Sequence, residues 1–564
     1  MKKKLAKLCT LFLLLACILS QGVQAAETRT LRVGLYYGSD CVVVGNLSNV
    51  TGTGYRLGYY DDDRQFISLG RTQEKNISVM ITQNLYLTSG GVYVYESEGA
   101  IGAVGCYHVQ LPWTYSDYDT AQADAAKLDG GFVAWIAGTY YVRCGSYTGL
   151  AAAQEAAAAI GIEGATVGET SAYGYNAVAT GTTRILFQYD GARAGELYAF
   201  GVAPGLSGEE KTITKLKGYQ YYGGFRFERI GGGESTVVNM VNINDYVKGV
   251  IPYEMSPSWP LEALKAQAVG ARTYAIYHTN AGRHSKAHHF DICTSTDCQV
   301  YRGVSGANEV TNRAVDETAG QMIFYNGRVI EAVYSSSHGG GSEDAKNVWG
   351  HENAYLKGVI DPYEADAAAS MNQSQLAYYQ WTKVYTATAL KERLHERGYQ
   401  QCGDIVAFET KISPTGNVIE VKFTDANGKS YTFSRGDNIR FLLGVNSIHF
   451  TVTSSAGESG GAGYVIAGES RNVPELSNLY AISGDGKVSQ LSQGSYVITA
   501  SGVRALEPVT AEAATTSGET VYTLSGKGWG HNVGMSQWGA WAMAKRGYTY
   551  LDILNFYYTG ITVE

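Results

Sequence analysis

One carboxylic acid stands out for its company. Glu254 lies between Tyr253 and Met255, with Pro252, Pro257 and Trp259 close by. Apolar neighbours thin the water around a carboxyl group and disfavour its charged form, so an acid in this setting can give a proton and take it back. A plainer role would be to complement the positive end of the helix that follows, worth a few tenths to about 1 kcal/mol. A second concentration of chemistry follows in RHSKAHHFDICTSTDCQVYRG, where His284, His288, His289, Cys293 and Cys298 fall together. Thiolate and imidazole are the ligands zinc favours. Cys293 and Cys298 with His288 and His289 upstream form the candidate metal set, though the spacing accounts for three ligands and leaves the fourth open. A disulfide between the cysteines, or two unligated thiols, fits the same spacing. Two glycine-rich stretches complete the inventory: SSSHGGGS with His338, followed by Trp349, and GKGWGHNVGMSQW with His531, Gln537 and Trp538. Glycines there let another group approach the backbone closely.

These residues need elements to hold them. Val241, Ile243, Tyr246, Val247, Val250 and Ile251 read as an alternating strand leading into a Pro-flanked turn, which places Glu254 at a strand-to-helix junction. The helix itself is clear: Ser258 suits the N-cap, Pro260 the first helical position, and Leu261, Leu264, Ala268, Ala271 and Ala275 recur as a buried stripe. Gly270 costs about 1 kcal/mol against Ala in a helix, which predicts another backbone packed close against it. Further on, Asn326-Gly327 predicts a type I′ hairpin.

The runs DYVKGVIPYEM and EALKAQAVGARTYA resemble the signature of the stage II sporulation protein D family, which includes the bacterial amidase enhancers. The resemblance covers residues 236–452 and 520–564. It implies a peptidoglycan lytic transglycosylase in which the acid before Met, here Glu254, is catalytic, and a cleft whose sugar contacts would come from Gln267, Arg272, Tyr274, His338, Trp349, His531, Gln537 and Trp538. For Trp349 a stacking platform and an ordinary core tryptophan are both open. The family also implies a structural zinc in some members, tying the loop down rather than activating water. The partners implied are peptidoglycan glycan strands and, on the alternative reading of a non-catalytic enhancer, a cell-wall amidase. In this pattern a glycine more often follows the histidine where this chain has Asn532. His395 and His449 carry no role in this reading.

Composition sets the frame. The 564 residues are 45% hydrophobic and 17% charged, which is globular, and a formal charge of −8 makes nucleic acid an unsuitable partner. Residues 1–25 read as a secretory signal, with lysines, an apolar run from Leu8 to Leu19 and Val23-Gln24-Ala25 as a cleavage-like site, so an exported protein is expected in the cell wall or at the outer face of the membrane, touching membrane only through its leader. Leu14-Leu15-Ala16-Cys17 leaves a lipid anchor as the alternative. Beyond the leader the expectation is a multidomain α+β chain, β-rich with a central buried helix in its core. A β-rich module spans 27–105. Residues 106–170 hold a repeat of strand, loop and Ala-rich helix that resembles the glycan-binding sporulation-related repeat domain, with Cys106 and Cys144 as core thiols or a disulfide. A β lead-in spans 171–235, the core 236–452, a Gly/Ser-rich inserted β element 453–519, and the end of the core 520–564.

Overall fold

The computed structural model describes residues 29–191, 199–205, 211–455 and 519–564, with six short strands between 464 and 505. The leader read over 1–25 lies outside the described residues. The fold is α+β, and the chain divides into two compact units, Met1–Tyr334 with Ala540–Glu564, and Ser335–Gly539. The division thus falls inside the stretch expected to form one core. Among the described residues no helix is long and apolar enough to cross a membrane.

In the first unit the expected borders at 105, 170 and 235 are not borders between sheets. A seven-stranded sheet interleaves Thr30–Tyr36, Tyr55–Tyr60 and Phe66–Thr72 with Phe200–Pro204, Gly224–Glu228, Thr236–Asn242 and Ile292–Cys293. A ten-stranded sheet likewise takes strands from all three stretches. An uncovered strand edge invites further pairing, and here the later strands cover the edges of the earlier ones. Over 107–168 the chain runs strand, helix, strand twice, with helices at Tyr118–Ala125 and Leu150–Ala159. Val109 and Cys144 pack against Ala157 of the second helix. Cys106 and Cys144 are free thiols.

The seven-stranded sheet delivers the acid. Strand β1 (Thr30–Tyr36) pairs antiparallel with β2 (Thr236–Asn242), and the chain passes at once into helix α1 (Ile243–Glu254). This corrects the expected strand. Ile243, Tyr246, Val247, Val250 and Ile251 are spaced 3, 1, 3, 1, a helical stripe, and all are buried. The Asn242 side chain accepts the Asn244 N–H at 2.9 Å and caps the start. Pro252, in the last turn, withdraws one N–H from a helix that is ending. Glu254 therefore closes a helix instead of following a strand.

Helix α2 (Leu261–Ala281) is the central element, with thirteen buried residues. It begins after Pro260 with no side-chain cap, and Ser258 instead meets Ser256, hydroxyl to hydroxyl, in the turn before it. Gly282, at φ +66°, ends it. Helix α3 (Glu309–Asp316) packs across it, opened by an Asn308/Thr311 capping box. Strands Ile323–Tyr325 and Arg328–Val329 form the expected hairpin, with Asn326 and Gly327 both at positive φ.

Gly270 departs from expectation: a Cβ built on it meets no neighbour within 4 Å. No backbone presses on it, so its absent side chain only enlarges the freedom of the unfolded chain. Gly270→Ala should stabilise the protein by about 0.5–1 kcal/mol. Thermal melts of the two chains side by side check this, and a lower midpoint for the alanine variant would refute it.

The second unit is built around two three-stranded sheets. Strand β5 (Val521–Lys527) runs between β3 (Gln380–Thr386) and β4 (His449–Ser454), antiparallel to both. Strands Ile405–Ile412, Val418–Asp425 and Ser430–Ser434 form the other sheet. Trp381, Leu390, Val421, Phe423, Leu442, Phe450 and Leu524 share their common core. The six strands between 464 and 505 pair as three hairpins.

Candidate functional site

Glu254 is half-buried at the C-terminal end of α1. The acid in the first turn of α2 is Glu262. Glu254 itself sits at the negative end of its own helix, where a charged carboxylate is disfavoured. Its carboxylate acts on Tyr334: burial first, then Glu254, raises that phenol well above its ordinary value. Behind Tyr334 runs a buried chain of polar groups. The Tyr246 hydroxyl donates to Gln299 Oε1 at 3.1 Å, and Gln299 Nε2 donates to the Tyr334 hydroxyl at 2.9 Å. A phenol that accepts from an amide keeps its own proton to donate onward.

The α2 residues expected beside Glu254 divide. Gln267, Ala271 and Tyr274 share one helical stripe, Gln299 reaches the Ala271 carbonyl at 3.4 Å, and the Tyr274 ring stands 6.5 Å from that of Tyr334. Gln267 is fully buried and Tyr274 partly exposed. Arg272 points elsewhere and corrects the expectation. Fully buried, it donates to Asn244 Oδ1 at 2.9 Å, the Gln321 carbonyl at 3.0 Å and the Val315 carbonyl at 3.3 Å. A guanidinium so enclosed clamps α1, α2 and α3 together and offers no face to a sugar.

The cysteine cluster is real but its histidine is not the one expected. His284, Cys293, Asp297 and Cys298 bring their ligand atoms within 4.8 Å of one another. His284 Nε2 lies 3.1 Å from Cys298 Sγ, and the two cysteines are free thiols. The hydrogen bond from Cys298 holds the Cys293 thiol below its ordinary range, so one sulfur is readily anionic. Two sulfurs, an imidazole and a carboxylate are a donor set that suits zinc. His288 and His289 are drawn away: His288 stacks on Phe290, and His289, at φ +58°, meets Glu228 Oε1 at 2.6 Å. The reversal of the chain at His289 sends Phe290 into the core and the two imidazoles off the cluster.

His338, Trp349, His531, Gln537 and Trp538 belong to the second unit. There the two glycine-rich stretches pair with each other. Ser337 and Trp529 exchange backbone hydrogen bonds at 3.1 and 2.9 Å, and the Ser337 hydroxyl also accepts the Trp529 N–H at 3.0 Å. Gly339, at φ +80°, comes so near Lys527 that a Cβ would stand 2.5 Å from its carbonyl oxygen. The close approach that the glycines allow is therefore made by the protein's own backbone. Asn532 lies at φ +62°, a conformation open to glycine and asparagine, which accounts for the departure from the family pattern. Its amide donates to the His338 carbonyl at 2.7 Å.

A buried acid that the sequence did not single out fastens this loop. Helix α5 (Tyr363–Ser370) follows α4 (Ala345–Trp349) and carries Glu364, fully buried. Glu364 accepts the His338 N–H at 2.5 Å, the Gly339 N–H at 2.6 Å and the hydroxyls of Ser536 and Tyr379. Burial, with Asp361 beside it, outweighs these donors and pushes its pKa up to about 7. His338 is equally enclosed, and burial, reinforced by His531 and His449, holds its imidazole well below the usual range. His449 thus has a place the sequence did not give it, against Gly416 and the glycine loop. Trp349 is half-buried, its indole N–H on Asp437 at 2.6 Å and its ring beside His531 at 5.1 Å. Gln537 is buried, and Trp538 remains half-exposed.

Residues 231–325, which carry Glu254, α2 and the cysteine cluster, match the family described as stage II sporulation protein. An uncharacterized protein of Brachyspira hyodysenteriae is 30% identical over 359 residues, covering 64% of this chain and 76% of its own. The amidase enhancer of Bacillus subtilis is 32% identical over 335 residues, 56% of this chain, which spans only 40% of that protein. The stage II sporulation protein D of Bacillus subtilis is 26% identical over 339 residues, 58% of this chain and 76% of that one. The chain belongs to the stage II sporulation protein D and amidase enhancer family.

Proposed function

We propose that this protein is a lytic transglycosylase of peptidoglycan glycan strands, acting in cell-wall remodelling linked to sporulation. The observation that carries the reading is the placement of Glu254: half-exposed, at the negative end of α1, and close enough to the Tyr334 phenol for its charge to be felt there. In this reaction Glu254 gives its proton to the glycosidic oxygen between N-acetylmuramic acid and N-acetylglucosamine as the bond to the anomeric carbon breaks. The carboxylate then takes the proton from the muramoyl 6-hydroxyl, whose oxygen closes on the same carbon to form the 1,6-anhydro ring. Glu254 ends as it began, and no water is consumed. Because the nucleophile belongs to the substrate, one carboxyl suffices where a hydrolase needs two. Mass spectrometry of denuded glycan strands incubated with the chain tests this: 1,6-anhydro ends support it, and reducing ends point to a hydrolase.

The enhancer alternative has its own support in the amidase enhancer relative. On that reading the fold binds glycan, recruits or stimulates a wall amidase and cuts nothing; strands that bind and stay intact would favour it. An exported location goes with either reading.

The proposed cofactor is one structural zinc on His284, Cys293, Asp297 and Cys298. It would join the end of α2 to the sheet through Cys293 and enter no step of the reaction. Metal analysis of the purified chain should find about one zinc per molecule, and Cys298→Ser should lose it with a fall in melting temperature. An unchanged metal content in the serine variant would remove the assignment.

A further inference from the structure

In the second unit a cleft of 360 Å³ opens between helix α6 (Gln373–Tyr379) and the two glycine-rich stretches. Its volume falls within the range of small-ligand sites, about 300–1,000 Å³. Two aromatic rings stand at its mouth, unusually open for their kind: Tyr378 is 59% and Trp529 45% exposed. Their centroids are 5.4 Å apart and their planes nearly perpendicular, at 78°, so they form a corner instead of a closed stack. Trp538 and Tyr379 line it further in.

The corner is rigidly mounted. Trp529 is pinned through its backbone to Ser337 on both sides. Tyr378 rides on a helix opened by a capping box in which Gln375 Oε1 accepts the Asn372 N–H at 3.0 Å. That bond occupies the Gln375 carbonyl oxygen and leaves its N–H groups as the amide's donors. Tyr379 is buried with its hydroxyl on Glu364, so the inner wall is tied to the buried acid.

Among the described residues no lysine, arginine, aspartate or glutamate lines the cleft. A phosphate or carboxylate ligand would find no counter-charge, in a chain that is already net negative. What the lining offers is aromatic faces with amide and hydroxyl groups at their edge, including Gln375 and Ser336. This suits a flat neutral ring with apolar faces and a polar rim, which is a pyranose.

We infer that the corner formed by Tyr378 and Trp529 is a sugar-binding subsite, taking an uncharged N-acetylhexosamine ring of a β-1,4-linked glycan. The choice of glycan rests on the function proposed above; the reaction does not enter. Tryptophan fluorescence titration with N-acetylchitotetraose tests it, using the full chain carrying Glu254→Gln so that no ligand is consumed. Adding Trp529→Ala or Tyr378→Ala should weaken binding about tenfold or more, and Trp529→Phe or Tyr378→Phe should restore most of it, which separates a lost ring face from a lost fold. Alanine variants that bind as tightly as the parent, or a parent that does not bind the tetrasaccharide, would overturn the subsite. The two proposals can fail separately. Anhydro ends from the wild type with binding indifferent to Trp529 and Tyr378 would sink the subsite alone. Ring-dependent binding with no cleavage of glycan strands would uphold the subsite and sink the transglycosylase.

Discussion

Glu254→Gln should lower the rate of 1,6-anhydro product formation by about 10²–10⁴-fold, the range that general acid–base catalysis supplies. The amide is nearly the same size as the acid but can neither release nor accept the proton, so both halves of the reaction fail together. Glycan binding should change little, because the variant keeps the shape of the end of α1. Initial rates of anhydro-ended product release, measured beside binding to the same strands, check this. A variant retaining a tenth or more of the wild-type rate would show that Glu254 is not the proton donor. The same pair of measurements bears on the enhancer alternative, in which the wild type and the variant would bind alike and cut nothing.

Glu364→Gln should have the largest structural effect. The carboxylate takes two backbone N–H groups, one on each oxygen. An amide can accept only one of them, and turns an NH₂ group toward the other. Each buried donor left unmet costs about 1–3 kcal/mol, so a loss of about 2–3 kcal/mol is expected once the Ser536 and Tyr379 contacts are disturbed as well. The pH dependence supplies a second signature. The folded pKa, about 7, lies above the ordinary 4.5, so the folded chain binds this proton more tightly than the unfolded one. The stability from this group is full below about pH 4.5 and is lost as pH rises through about 7. Amide exchange at His338 and Gly339 should therefore quicken across that window in the wild type, beyond the intrinsic effect of pH, and should be faster but flatter in the glutamine variant. Equal protection in both chains would show that Glu364 does not hold the loop.

The sequence carried much of this where the signal is local. The α2 stripe, the Asn326-Gly327 turn and the family motif around Glu254 all sit within short windows. Helix α1 is masked in the sequence because Val241 and Ile243 alternate across the end of β2, a rhythm that runs straight into residues whose spacing is helical. Ser258 looked like a cap because the helix was expected to include Pro260. Glu364 could not be found from its neighbours, since its partners lie 25, 26 and 172 residues away. His288 and His289 stand nearer to Cys293 in sequence than His284, yet it is His284 that reaches the cluster. The turn at His289, with a φ of +58°, is a backbone feature that spacing in sequence does not carry. Arg272 shows the converse hazard: an arginine within a family motif reads as a ligand until its three carbonyl and amide partners are seen.

The pairing of β4 with β5 has a practical meaning. The two strands are in register from His449–Lys527 to Ser454–Tyr522, and Ser455 donates to the Val521 carbonyl at 2.8 Å just beyond. The end of β4 and the start of β5 therefore lie at adjacent points on one ladder, which closes between them. Chain entropy penalises a longer excursion only logarithmically, with each doubling of loop length costing about 0.6 kcal/mol. The junction is consequently a splice point: a tight turn could replace the excursion, or a foreign domain with neighbouring termini could be seated there, without breaking a rung between β4 and β5.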